Sequence, residues 1–356
     1  MRLTALTGAT RGLELLPQGV EIVPLPSFRS ADRPGGAQVE PSTGENLAVF
    51  QRRRSDTARD FMVRSAPDAL LVDHLPWGWR DELAAAIEST PRTKKILTLR
   101  GVLFDAPTTR DEYVAGGRAE WITTHYDAIC VHNDPDVFKL ESEYAFPPSL
   151  TKKLSYSGYL AAPPAHSRVE ARQLLGLPRT SRVAVITMGG GQGAADIWHA
   201  ALKAVGPLEF DTVHCVLGPY LEPEVRDHIL ATGNRVPGFE AVDFSVDLPL
   251  WLRSADLVVS AAGAGGLGEI LATGGNAVVI PRQLREAEQR IHARRLEELG
   301  LVRMVDLEDI GSDRLRTQIE AAMAEPLLRR QPRLLFDGAT ATARRVLETL
   351  GVDAGP

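Results

Sequence analysis

Four glycines fall within residues 189–193, in the run Thr187-Met188-Gly189-Gly190-Gly191-Gln192-Gly193. An apolar, strand-like stretch precedes this run and a helix-like one follows it. Glycines let backbone N–H groups approach an anion closely, and a helix N-terminus behind them favours negative charge. The chemistry that suits this pattern is the holding of a diphosphate. No Gly-Lys-Ser/Thr follows, which excludes the P-loop; the plain alternative is a flexible strand-to-helix turn. A second run, Ser260-Ala261-Ala262-Gly263-Ala264-Gly265-Gly266-Leu267-Gly268-Glu269, matches G-x-G-x-x-G at Gly263, Gly265 and Gly268. A dinucleotide-binding turn would need an acidic residue at the end of the next strand. That strand ends at Ile280-Pro281-Arg282 instead. Glu269 is expected in the first turn of the following helix, where a carboxylate satisfies free N–H groups or accepts from a ribose diol.

A third stretch holds Pro281, Arg282, Gln283, Glu286, Glu288, Gln289 and His292. Adjacent Glu288 and Gln289 can bind sugar hydroxyls, or form an ordinary solvated helix start. In the first half, Asp73-His74 and Leu99-Arg100 end strand-like runs, where ligands bind in open α/β sheets. Asp105, the trio His125-Tyr126-Asp127 and His132 lie nearby along the chain. His74 or Asp73 could serve as a base, although a lone histidine is more often a cap or a core residue. Asp134-Pro135-Asp136 has the spacing of a metal-diphosphate site, but the proline and the stretch after it favour a capped turn, so no metal is expected. No Ser-His-Asp or Cys-His nucleophile pattern is present.

The elements that would position these residues alternate between strand and helix. Strand-like runs lie at 3–6, 21–25, 69–72, 95–99, 128–131 and 154–156, then at 183–187, 213–217, 257–260, 277–280 and 302–305. Helical patterns fall at 57–64 and 80–88, then at 194–205, 222–231, 248–254, 267–273 and 287–299. This alternation argues for parallel sheets covered on both faces. A first α/β unit is expected over 1–160 and a second over 168–336, with a linker at 158–167. A last helix over 338–350, within a tail at 337–356, could pack back on the first unit. Residues 3–6 and 21–25 are separated by little more than the minimum for a parallel crossover, so the first βα unit looks missing or degenerate.

The 356 residues, 44% hydrophobic and 24% charged, with net charge −6, describe a globular chain with room for two cores. The acidic balance argues against a nucleic-acid footprint. Arg52-Arg53-Arg54 reads as a solvated helix face. The two cysteines, Cys130 and Cys215, sit in apolar runs and are expected buried and reduced, in a cytoplasmic protein. No apolar run approaches the ~20 residues of a membrane span.

Together these residues resemble the nucleotide-sugar glycosyltransferases of the GT-B type, with two Rossmann-like domains facing across a cleft. The second half is similar to the family 28 domain of the lipid-linked N-acetylglucosaminyltransferase of peptidoglycan synthesis. The match runs from Ala255-Asp256-Leu257-Val258-Val259-Ser260 through Gly263, Gly265, Glu269 and Pro281 to Gln289, Ala293 and Gly300. The first half resembles a group of predicted bacterial glycosyltransferases at Leu70-Leu71-Val72-Asp73-His74, Leu99-Arg100, Tyr126-Asp127, Asp134-Pro135, Glu143-Tyr144 and Tyr156-Ser157-Gly158-Tyr159. The resemblance implies that Gly189, Gly190, Gly191 and Gly193 meet the donor diphosphate, that Glu269 holds the ribose, and that Glu288 and Gln289 contact the sugar. It also implies donor contacts near Ser260, Gly263 and Gly265, packing of the base near Phe239, and inversion at the anomeric carbon. These families open with a strand, a Gly-His turn and a helix, whereas this sequence starts at what would be the second strand.

The expected activity is transfer of a sugar from a UDP-sugar to an unidentified acceptor, without a metal or any cofactor beyond the donor itself. Association with a membrane surface is compatible with this. A nucleotide-sugar hydrolase or epimerase, a non-catalytic nucleotide-sugar-binding protein, and a nicotinamide-dependent oxidoreductase are the alternatives.

Overall fold

The computed structural model describes residues 2–10, 12–33, 36–282, 287–311, 313–325 and 334–353, without the side chains of 29–40. Gln283 and Glu286 lie outside the described residues. The N-terminal unit runs β1 (Leu3–Thr7), β2 (Val20–Pro24), β3 (Phe28–Arg33), β4 (Gly36–Pro41), α1 (Leu47–Ser65), β5 (Ala69–Asp73), α2 (Ala84–Glu88), β6 (Lys94–Arg100), α3 (Ala106–Arg110), α4 (Arg118–His125), β7 (Ala128–His132), α5 (Leu140–Glu143), α6 (Pro148–Thr151) and β8 (Leu154–Tyr156). The C-terminal unit runs α7 (Arg168–Leu174), β9 (Val183–Thr187), α8 (Ala195–Val205), β10 (Thr212–Val216), α9 (Pro223–Gly233), β11 (Phe239–Val242), α10 (Leu248–Ser254), β12 (Leu257–Ala261), α11 (Ala264–Thr273), β13 (Ala277–Ile280), α12 (Glu288–Glu298), β14 (Arg303–Met304) and α13 (Arg314–Ala324), before α14 (Gly338–Thr349).

The C-terminal sheet is six-stranded and all parallel, in the order β11-β10-β9-β12-β13-β14. Its middle strands β9, β12 and β13 are buried along their whole length, which is why they are uninterrupted apolar runs. The N-terminal unit is divided. β5-β6-β7-β8 form a four-stranded parallel sheet, β1 and β2 a separate parallel ribbon, and β3 and β4 an antiparallel hairpin. Among the described residues of 8–19, which connect the parallel strands β1 and β2, the only regular element is a 3-10 turn at Leu13–Leu15.

Two expectations fail for identifiable reasons. The helix expected over 57–64 starts ten residues earlier, at Leu47, where the Asn46 side chain accepts from the Ala48 N–H. Within it Arg54 is not solvated: it is buried, ion-paired to buried Glu82 and donating to the Pro26 carbonyl. One member of the arginine triplet therefore ties α1 to the loop after β5. The helix expected over 80–88 is reduced to Ala84–Glu88, because Arg80 and Asp81 take left-handed φ values of 49° and 65°. The β3–β4 hairpin and the half-exposed edge strand β11 carry too little apolar alternation to read in advance.

The units are stitched where three segments cross. The Tyr159 N–H donates to the Leu335 carbonyl at 2.9 Å and the Gly338 N–H to the Tyr159 carbonyl at 3.2 Å. The buried Asp134 carboxylate accepts from the Leu335 N–H at 2.8 Å and from the Asp136 N–H at 2.8 Å. Beyond the crossing, α14 packs on the N-terminal sheet, with Val346 against Ile96, Ala128 and Cys130. Cys130 and Cys215 are both free and buried. The crossing requires glycine: a Cβ on Gly338 would lie 2.6 Å from the Gly158 carbonyl oxygen. Gly338→Ala is therefore expected to destabilise the fold by about 1–3 kcal/mol, the usual cost of overpacking. Chemical denaturation with an unchanged m-value is the check.

Candidate functional site

Strands β5, β6 and β7 end side by side, and their last residues carry polar chemistry. In register, Asp73 pairs with Thr98 and Arg100 with His132. The Thr98 hydroxyl donates to Asp73 at 3.1 Å. His74 follows with φ of 60°, its N–H donating to the Thr98 carbonyl at 2.8 Å. A left-handed non-glycine residue is strained, and strain of this kind concentrates at functional sites. The His74 Nδ1 is buried without a hydrogen-bond partner. Burial, helped by the Arg100 charge and opposed by Asp73, lowers its pKa to about 4. At neutral pH it is an uncharged ring with a free acceptor or donor. His132 contacts the Ser157 hydroxyl at 3.0 Å, and burial lowers its pKa too.

In the C-terminal unit, adjacent parallel strands β9, β12 and β13 are followed by α8, α11 and α12, so three helices begin at one sheet edge. None has a side-chain cap on its first N–H groups. Such groups are an anion-binding surface. The 189–193 loop precedes α8, with φ of 64° at Gly189, 87° at Gly191 and 65° at Gly193. Part of the need for glycine is local packing: a Cβ on Gly191 would lie 2.5 Å from the Leu217 carbonyl oxygen. Arg282 donates to the Gln192 carbonyl at 2.6 Å, fixing the loop against the end of β13.

A narrow crevice, open to solvent, lies between the units. The N-terminal unit contributes Arg100, Val102 and His132; α11 begins at its wall, and Glu288, Gln289 and His292 of α12 face it. Arg100 and Glu288 pair across it at 2.8 Å. The buried Gln289 accepts from the Arg282 N–H at 3.1 Å, which orients its amide. His292 is buried, lies parallel to the Tyr159 ring and meets the Tyr159 hydroxyl through Nε2 at 3.0 Å. Burial lowers the His292 pKa to about 4 and raises that of Tyr159, so an uncharged phenol meets an uncharged imidazole.

The sequence-derived residues are placed unevenly. Glu288 and Gln289 line the crevice, and Gly263 and Gly265 sit at the start of α11 beside it. Gly263 has an ordinary extended φ of −67°, and a Cβ on either glycine would meet nothing within 4 Å. Their value is an open approach to the helix end, not an unusual backbone. Glu269 lies in the second turn of α11, not the first, because α11 starts at Ala264. It is half-buried, burial raises its pKa, and its carboxylate caps no N–H group among the described residues. Ser260 is buried, with its hydroxyl donating to the Ala261 carbonyl at 2.9 Å, so it is not presented to a ligand. Phe239 is at the opposite end of β11 from the site, its ring against Gly233. The strand reaches the site edge only near Phe244, which is 51% exposed. Asp73 and His74 stand one strand away from the crevice lining. Asp134 and Asp136 form a turn in which the Asp134 carboxylate serves two N–H groups, and no group of three metal-ligating side chains occurs among the described residues. The contacts of Arg100 and the Tyr159–His292 pair escape sequence reasoning, since each joins residues more than 130 positions apart.

Residues 184–340 match the model of the glycosyltransferase family 28 C-terminal domain. The UDP-N-acetylglucosamine–N-acetylmuramyl-(pentapeptide) pyrophosphoryl-undecaprenol N-acetylglucosamine transferase of Paenarthrobacter aurescens is 32% identical over 152 residues, 42% of this chain and 40% of that protein. Its namesake in Caldicellulosiruptor saccharolyticus is 26% identical over 170 residues, 46% of this chain and 45% of that protein. The chain thus spans less than half the length of the curated relatives it matches. Among solved structures, the calicheamicin glycosyltransferase has a TM-score of 0.62 at 15% identity, covering 99% of this chain and 92% of that one. MurG of Acinetobacter baumannii has a TM-score of 0.57 at 14% identity, covering 97% and 90%. A UDP-GlcNAc 2-epimerase of Neisseria meningitidis has a TM-score of 0.54 at 14% identity, covering 85% and 82%. The fold is that of the GT-B glycosyltransferases. No helix among the described residues is long and apolar enough to cross a membrane.

The buried neutral histidines tie stability to pH. Unfolded histidine binds its proton near pH 6.5, while folded His74 and His292 do so only near pH 4. The unfolded state thus holds more protons between these values, and stability falls as the pH drops through that window. Urea midpoints for the wild type and His292→Gln at pH 7 and pH 5 should show a smaller acid loss in the variant.

Proposed function

We propose that this chain transfers a sugar from a UDP-sugar to an acceptor hydroxyl or amine in the cleft between the units. The observation that carries this reading is the coincidence of the family 28 match with the three uncapped helix starts beside Glu288 and Gln289. UDP is chosen because the curated relatives are named for transfer from UDP-N-acetylglucosamine.

In this reading the diphosphate lies against the 189–193 loop and the start of α11, whose backbone donors stabilise the charge that develops as it leaves. Those donors and the helix dipoles meet the charge without a metal, in keeping with an Asp134 carboxylate already committed to backbone. Glu269 accepts from the ribose hydroxyls, which offsets the burial of its carboxylate. Glu288 and Gln289 contact the transferred sugar, and Arg100 holds Glu288 in place from the other side. His74 or Asp73 takes the acceptor proton as its oxygen or nitrogen attacks the anomeric carbon, with inversion. His74 is uncharged at neutral pH, and its lowered pKa makes it a weak base, so its place at the strand end and not its basicity supports this role.

The likeness to the epimerase is a likeness of fold; donor incubated alone separates the two chemistries, since release of UDP or a changed sugar without acceptor would speak for hydrolysis or epimerisation. Glu269→Ala is expected to weaken UDP binding more than tenfold by titration calorimetry. An unchanged affinity would remove Glu269 from the site.

A further inference from the structure

At the rim of the N-terminal sheet, Arg100, His132 and Ser157 form one row. Arg100 and His132 are register partners on β6 and β7. Cys130 pairs with Ser155 of β8, so Ser157, two residues on, lies beside His132, and its N–H donates to the Val131 carbonyl at 2.9 Å. Side chains two apart on a strand share a face, and paired strands lie about 4.8 Å apart. The three residues are therefore successive steps along one edge. Arg100 and His132 reach the crevice, across from Glu288 and Gln289.

The hydrogen bonds around Ser157 set how His132 presents itself. The Ser157 hydroxyl oxygen lies 3.0 Å from His132 Nδ1 and 3.1 Å from the Val131 carbonyl oxygen. A carbonyl oxygen only accepts, and the hydroxyl has one proton to give. Given to Val131, it leaves the hydroxyl oxygen to accept from the Nδ1–H, and both contacts are hydrogen bonds. Given to Nδ1, it leaves the contact with Val131 empty. The first arrangement makes one bond more, at a serine that is buried.

Burial, opposed by the Asp73 charge, holds His132 below the usual histidine pKa, so at neutral pH the ring carries one proton. With that proton on Nδ1, Nε2 is an acceptor. It has no hydrogen-bond partner among the described residues, and unlike the Nδ1 of His74 it is not enclosed. The crevice then has a defined pattern. Arg100 only donates, and the Glu288 carboxylate accepts. The Gln289 amide oxygen already accepts from the Arg282 N–H, so its amino group is the end left to donate. His292 already meets the Tyr159 hydroxyl. His132 Nε2 adds an acceptor from the N-terminal side. A bare ring nitrogen is satisfied by an O–H or an N–H, and a phosphate oxygen has no proton to give. Of the parts of a nucleotide sugar, the hydroxyl-bearing ring is the one that suits these walls.

We infer that His132 accepts a hydrogen bond from a hydroxyl of the transferred sugar, with Ser157 as the positioning residue that keeps Nε2 available for it. The inference rests on the donor reading given above and extends it, because it gives the N-terminal unit a direct part in choosing the sugar. A sugar whose hydroxyl points elsewhere leaves Nε2 unpaired in a narrow site, and a site built to bond a hydroxyl discriminates against a ligand that cannot supply it.

Titration calorimetry with UDP and with UDP-N-acetylglucosamine tests this. His132→Ala should weaken UDP-N-acetylglucosamine about fivefold, the worth of one hydrogen bond, and leave UDP unchanged. His132→Gln, whose amide oxygen can accept, should recover most of the loss. Ser157→Ala should fall between, again for the sugar nucleotide alone. Equal weakening of both ligands would overturn the inference. The resting protein gives a second check that needs no ligand. Multiple-bond nitrogen–proton spectra of the histidine rings at pH 7, with His132 assigned by its absence from His132→Gln, should show Nδ1 protonated and Nε2 bare. The opposite tautomer would overturn the inference. An unchanged UDP-N-acetylglucosamine affinity in His132→Ala, with UDP still bound, counts against His132 alone. A wild type that binds no UDP overturns the donor reading and this inference with it.

Discussion

The architecture depends on one geometric constraint: adjacent parallel strands end at the same edge. β9, β12 and β13 are neighbours, so the helices that follow them begin together. A helix start leaves several N–H groups without partners. Here the N-cap residues, Ala194, Gly263 and Ala287, offer no side-chain cap. The result is a concentration of positive potential at one rim of a buried sheet, lined by residues too small to block it. Every proposed donor contact is a consequence of that rim.

The rim becomes a site only because a second sheet edge is held opposite it. The holding is done largely by backbone. Gly158, Tyr159, Leu335 and Gly338 cross closely enough that side chains at the two glycines would collide, and Asp134 fastens the crossing from the N-terminal unit. Tyr159 also stacks on His292 of α12, so the linker touches the helix that carries Glu288 and Gln289. An arginine at the end of β6 then reaches Glu288. Movement at the crossing would change the crevice directly.

Electrostatically the two edges are complementary. The C-terminal rim offers dipoles and N–H donors. The N-terminal edge offers Arg100, an ionisable Asp73 and two histidines that burial keeps neutral. The burial and the arginine charge that keep His74 neutral also disfavour its protonated form. The strained backbone at His74 is consistent with a ring held for a purpose, because its cost must be offset by the surrounding sheet.

Much of this was legible in the sequence. Uninterrupted β-branched runs such as Val183–Thr187 read as buried strands, and glycines between strand and helix mark the turns, because both signals are local. The residues at strand ends, Asp73, His74 and Arg100, follow from that reading. What the sequence could not determine is which ends of the elements face one another. Phe239 lies at the wrong end of β11, Ser260 turns inward, and Arg54 is buried by a glutamate 28 residues away. The Arg100–Glu288 pair spans 188 residues. The division of the N-terminal sheet shows the same limit: the strands themselves are local signals, but that β1 and β2 pair apart from β5-β6-β7-β8 is seen only in the folded chain. Periodicity reports what a segment buries; which partner it is buried against is set by packing across the chain, and that exists only in the folded molecule.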